Sequence, residues 1–101
     1  MTDKYILDGK KVVPVADLLE WAKWFESCDR RIARDEKNGV VVSTIFLGLD
    51  HQFGGGPPLL FQTVASGGPH DQDQERYSTW EDAEAGHKAM CERVFGREAT
   101  P

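Results

Sequence analysis

Cysteine is scarce in this chain. The two that occur, Cys28 and Cys91, form no metal-binding spacing along the sequence. The N-terminus, MTDKYILDGKK, has no apolar stretch behind a basic start, so no secretory signal is expected and both cysteines read as free thiols in a reducing compartment. Long apolar runs are missing too. The longest, Val40 to Leu49, is about half of the roughly 20 residues that a spanning helix needs, so no membrane segment is expected. Positive charge is in deficit, with 12 Lys and Arg against 17 Asp and Glu, a net charge of -5 and a pI near 5.1. A binder that neutralises nucleic-acid phosphates needs a basic face, so direct nucleic-acid binding is excluded as an expectation. An acidic protein that docks on a basic partner is compatible with this balance.

What is present suits one small globular domain. The 101 residues are 40% hydrophobic and 29% charged, enough for a single core of two packed layers. In residues 4–15, KYILDGKKVVPV, Asp8-Gly9 between two β-prone runs signals a hairpin, and Pro14 ends its second strand or puts it at an edge. Asp17-Leu18-Leu19-Glu20 is a capping box, and the helix it opens is expected to reach about Arg34. Leu18, Trp21, Ala22, Phe25, Cys28 and Ile32 share its apolar stripe, with Trp24 near the rim. Asn38-Gly39 supplies a stop and turn.

Residues 40–66 read as a central hairpin: two apolar strands around a loop, Asp50 to Pro58, with three glycines and two prolines. The first strand lacks polar alternation, which predicts cover on both faces. The segment 67–77 has no aliphatic residue and reads as a polar loop. A second helix is expected over 79–95, capped at Ser78 or Thr79, with Trp80, Ala83, His87, Met90, Cys91 and Val94 on one stripe and a tail at 96–101. The predicted class is α+β: one two-layer domain, about four antiparallel strands and two amphipathic helices, in the order ββαββα.

The best place for a ligand or partner is the glycine loop: Asp50, His51, Gln52, Phe53, Gly54, Gly55, Gly56 and Pro57. Consecutive glycines let backbone amides approach an anion, and Phe53 offers a stacking surface. The spacing is neither a dinucleotide fingerprint nor a Walker loop, and no lysine follows it. His51 beside Asp50 suggests general-base chemistry, but neighbours in extended chain point to opposite faces, and no nucleophile in a strained elbow lies near. Asp71, Asp73, Glu75, Glu81, Asp82 and Glu84 make a second candidate, an acidic face that could imitate phosphate for a basic host protein. The first three alternate as in half a calcium loop, but Arg76 stands where that loop demands glycine. Trp24 and Trp80, at the stripe rims, are candidate interface anchors. His87 and Cys91, one turn apart, with Cys28 on the other helix, would make a poor zinc set, because the stripe around His87 is a core environment. No metal or cofactor is predicted.

Four stretches carry a resemblance: YILDG (residues 5–9), DLLEWAKWFE (17–26), STIFLGLDHQFGGGPPLLFQT (43–63) and RYSTWEDAEAGHKAM (76–90). Together they resemble a family of small proteins encoded in bacteriophage genomes and prophages. The resemblance covers most of the chain. It implies an accessory protein acting in the cytoplasm of the bacterial host, and it assigns no catalytic residue. The expectation is therefore a non-catalytic counter-defence protein that docks on a host antiviral factor. The alternatives are a protein that sequesters a small anionic nucleotide in the glycine loop, at the interface of a homodimer, and a small hydrolase or nuclease using Asp50, His51 and His70.

Overall fold

The computed structural model describes residues 4–50 and 56–96. It is an α+β fold of six strands and two helices. Strands β1 (Tyr5–Asp8) and β2 (Lys11–Pro14) form a separate two-stranded hairpin. Its register sets Asp8 opposite Lys11, so the turn is Gly9-Lys10, one residue later than the Asp8-Gly9 signal suggests. Gly9, at φ 64°, occupies the first central position, where a type II′ turn wants glycine.

Helix α1 (Leu18–Ser27) starts as predicted, with Asp17 accepting from the amides of Leu19 and Glu20. It stops seven residues early. The Ser27 hydroxyl folds back onto the Lys23 carbonyl at 2.9 Å, and Cys28 is extended. The expected last turns instead form strand β3 (Arg31–Lys37). The Arg31 and Ala33 stretch has good helix formers, but tertiary pairing overrides propensity. Asn38 (φ 53°) and Gly39 (φ 81°) form a two-residue turn of the kind that requires positive φ at both positions. That turn folds β3 back on β4 (Val40–Phe46), with Lys37 opposite Val40.

Strand β5 (Phe61–Ser66) pairs with β4, and β6 (Gln74–Tyr77), within the stretch expected to be all loop, pairs with β5. The main sheet is thus an antiparallel meander, β3-β4-β5-β6, and the observed order is ββαββββα. Four strands is the expected number, but they are not the expected four, because the N-terminal hairpin stays outside.

Helix α2 (Trp80–Phe95) has the predicted extent, with Thr79 capping the Asp82 amide and Gly96 (φ 81°) ending it. It lies across one face of the meander. On that face the β4 and β5 partners form three rows: Val42 with Ala65, Thr44 with Thr63, and Phe46 with Phe61, all fully buried. Met90 covers the first row and Ala83 the last. Tyr5, Leu7, Val12 and Trp24 pack beside the last row, so the hairpin and α1 close that end of the core. No helix or strand among the described residues covers the opposite face, where Val41, Ser43, Ile45, Gln62 and Val64 are half-buried. The expectation of two covered faces is corrected there: the alternation is real, but the outward positions are filled by Val and Ile, which hid it.

Candidate functional site

The middle row is the unusual one. Two threonines stand opposite each other in a core of Val, Leu, Phe, Ala and Met, with their hydroxyl oxygens 2.6 Å apart. The Thr44 hydroxyl also lies 2.7 Å from Nδ1 of His87, which α2 drops onto the sheet. The other ring nitrogen, Nε2, is 2.7 Å from Oδ2 of Asp35 on β3. The Sγ of Cys91, one turn further along α2, is 3.6 Å from the same carboxylate oxygen.

The Asp35 end of the chain fixes one donor. The hydrogen bond from His87 holds the Asp35 carboxyl below its usual range, outweighing the opposing effect of desolvation. Asp35 is then a carboxylate, which only accepts, so Nε2–H donates to it. With the ring neutral, Nδ1 accepts from the Thr44 hydroxyl, and Thr44 accepts from Thr63. Both buried threonine hydroxyls then have an acceptor, as a buried polar group requires. Burial first, and the Asp35 charge second, push the Cys91 thiol up to about 11, so at neutral pH it is a protonated donor.

The order Thr–His–Asp imitates a nucleophile relay, but the geometry is wrong for one. Thr44 is fully buried, so no substrate carbonyl or phosphorus can reach its oxygen. The accessible end of the chain is the Asp35 and Cys91 end. It opens on a groove of about 320 Å³ between β3 and α2, lined also by Lys37, Lys88 and Phe95.

The residues singled out by sequence are dispersed. His51, Gln52, Phe53, Gly54 and Gly55 lie outside the described residues. Asp50 pins the base of the loop, accepting from the Leu59 amide at 3.1 Å. Gly56 and Pro57 are exposed. His70 sits at the other end of β5 from Asp50 and bonds Asp73 at 3.1 Å. A six-residue strand spans about 20 Å, so Asp50 and His70 do not share a site.

The acidic segment is partly consumed internally. Asp71 accepts from the Gly67 amide at 2.6 Å, and Asp73 and Glu75 lie 3.8 and 3.9 Å from Arg93. Glu81 and Asp82 sit in the first turn of α2, where negative charge complements the helix dipole, and Glu84 is exposed. Trp24 packs edge-on against Phe46, and Trp80 edge-on against Phe61. Both are half-buried rim residues. His87 is the buried, hydrogen-bonded core histidine that its stripe implied. Asp35, its partner, was missed because the sequence reading ended α1 beside it. The readable signal was Asn38-Gly39 between β-capable runs, which makes Asp35 a strand residue facing the sheet's covered side.

No protein-family model, curated protein or solved structure matches this chain. Among the described residues no helix is long and apolar enough to cross a membrane.

Proposed function

We propose that this is a non-catalytic binding protein that docks on another protein through the uncovered face of its four-stranded sheet. One observation carries this reading. In register, that face presents Arg31, Arg34 and Glu36 from β3, Val41, Ser43 and Ile45 from β4, Gln62 and Val64 from β5, and Gln74 and Arg76 from β6. An apolar centre of Val41, Ile45 and Val64 is thus flanked by three arginines and a single acid, in a chain whose net charge is -5. Apolar centres with arginine at the rim are the composition of protein interfaces. The charge sign selects a partner surface with an acidic rim.

This surface is preferred to the acidic face as the docking site for its apolar centre of Val41, Ile45 and Val64; charges on both surfaces have partners within the chain, Arg31 with Asp29 and Arg34 with Glu36 on the one, Asp71, Asp73 and Glu75 on the other. The phage resemblance supplies the setting: an accessory protein in the cytoplasm of an infected bacterium, blocking a host antiviral factor. Sequestration of an anionic nucleotide by residues 50–58 is the runner-up reading.

The test is affinity capture from bacterial lysate with the wild-type chain and with Ile45→Glu and Arg76→Glu, analysing bound proteins and small molecules by mass spectrometry. The expected result is one host protein, lost at least tenfold in both variants while their far-ultraviolet dichroism is unchanged. Capture that survives these changes but fails in Glu81→Lys with Glu84→Lys would transfer the docking role to α2. A co-purifying nucleotide, with phosphate-rich ligands at 100 times their Kd stabilising the chain by about 2.7 kcal/mol, would favour the runner-up. Metal-dependent hydrolysis that disappears in His51→Ala would overturn the binding reading altogether.

A further inference from the structure

The cluster beside the buried threonines carries a second inference, independent of the docking face. His87 and Cys91 are four residues apart on α2, so they project from one side of the helix. Asp35 reaches both from β3. One donor atom from each of the three lies within 4.8 Å of the other two. Bonds of about 2.0–2.3 Å in a tetrahedral zinc site put ligand atoms roughly 3.3–3.8 Å apart. The Asp35–His87 separation, 2.7 Å, must open slightly, and the widest separation must close by about an ångström. Asp35 has the freedom to do so, because its side chain is 61% exposed.

The surroundings also fit. A metal-bound histidine uses its other ring nitrogen to bond a fixed partner, which sets the ring's orientation. Here that partner, Thr44, is fully buried and is itself held by Thr63, equally buried. A histidine needed only to fill space between Ala83 and Met90 would not require two buried hydroxyls, each of which must be kept satisfied in an apolar core. The groove between β3 and α2 leaves one side of the cluster open.

We propose that Asp35 Oδ2, His87 Nε2 and Cys91 Sγ bind one divalent metal ion of the zinc type, with its fourth position facing the groove. The mixed oxygen, nitrogen and sulfur set suits zinc and its spectroscopic substitute cobalt(II), and disfavours magnesium and calcium, which prefer oxygen alone. On binding, the S–H bond of Cys91 is replaced by a sulfur–metal bond and its proton goes to solvent. The ring proton of His87 moves from Nε2 to Nδ1. Nδ1–H then donates to Thr44, and Thr44 donates to Thr63, which reverses the hydroxyl chain and turns the Thr63 proton away from Thr44. The ion would fasten the edge strand β3 to α2.

The experiment uses the full chain, stripped with a chelator and titrated with zinc(II) or cobalt(II). Native mass spectrometry should show one ion per chain, and the cobalt form should show a thiolate-to-metal charge-transfer band. Cys91→Ser should abolish the band and weaken binding by more than the roughly 10–100-fold that losing an outer partner costs. Thr44→Val should fall within that 10–100-fold range. Asp35→Asn should weaken binding at least tenfold, with the urea midpoint of the metal-free variant separating this from loss of the Asp35–His87 bond. Cys28→Ser should change neither stoichiometry nor spectrum. Substoichiometric binding, a band that persists in Cys91→Ser, or one that vanishes in Cys28→Ser would each overturn the proposal.

Discussion

The two helices carry opposite lessons. Leu18, Leu19, Trp21, Ala22, Trp24 and Phe25 make α1 the more apolar of the two, yet none of its residues is buried. Helix α2 is more polar along its length, yet it buries Ala83, Gly86, His87 and Met90. Position explains the difference. Helix α2 lies across four strands, while α1 packs on the small hairpin and touches the sheet only at its end. Its anchorage there is compact: Trp21 Nε1 donates to the Gly48 carbonyl at 3.1 Å, Tyr5 N donates to the same oxygen at 2.8 Å, and Trp24 meets Phe46 edge-on. Amphipathicity shows that a helix will pack. It does not show how much surface it will find to pack on.

The contrast predicts graded responses to substitution. The largest should come from the sheet and α2. Phe61→Ala removes a fully buried ring shared by β5, Phe46 and Trp80 and should cost about 3–5 kcal/mol, read as a lower urea midpoint with the whole chain unfolding together. Gly86→Ala should also destabilise, by about 1–3 kcal/mol, although alanine is the better helix former, because the new methyl would overlap the Tyr77 ring.

A local effect should come next. Gly48 has φ 78°, and a Cβ there would stand 2.8 Å from Phe25. Gly48→Ala should therefore loosen α1 and the β1–β2 hairpin, with amide hydrogen exchange accelerating there and protection in β4 and β5 retained. Equal loss of protection everywhere would show that the two regions form one cooperative unit.

The smallest effects should fall on the exposed rim. Leu19→Ser, at a side chain 72% exposed, should change stability by no more than about 0.5 kcal/mol. Asp29 accepts from the Arg31 amide and guanidinium, which lowers its pKa below 3.8. A depressed carboxyl stabilises the fold above the unfolded value and loses that contribution as pH falls through the folded one. Asp29→Asn should thus lower stability slightly at neutral pH and flatten the acid limb, so that the urea midpoints of variant and wild type converge as pH falls below 3.8.

The parts governed by local chemistry were legible. The N-terminal hairpin, the Asp17 cap, the central hairpin and the full extent of α2 follow from turn residues, capping side chains and periodicity. What escaped was decided by pairing at a distance. Residues Arg31 to Lys37 have the composition of a helix end and become a strand because Asn38-Gly39 turns them back onto β4. Gln74 to Tyr77 contain no aliphatic residue, and become a strand by pairing with β5. The Asp35–His87–Thr44–Thr63 chain joins four elements, so no one segment announces it. The two threonines, polar residues inside apolar runs, were its visible trace.

The ends of the meander also decide how another molecule can approach. Strands β3 and β6 each leave one rail of backbone amides and carbonyls unpaired by the sheet. Strand β6 is four residues long, which offers little length to extend. Strand β3 is longer, but its register slips between Arg31 and Ala33, and it carries Arg34, Asp35, Glu36 and Lys37 in succession. A bulge and a row of charged side chains both discourage an incoming strand. The sheet is thereby guarded against strand-by-strand growth into fibres, and its broad side is left as the surface on which a visitor can land.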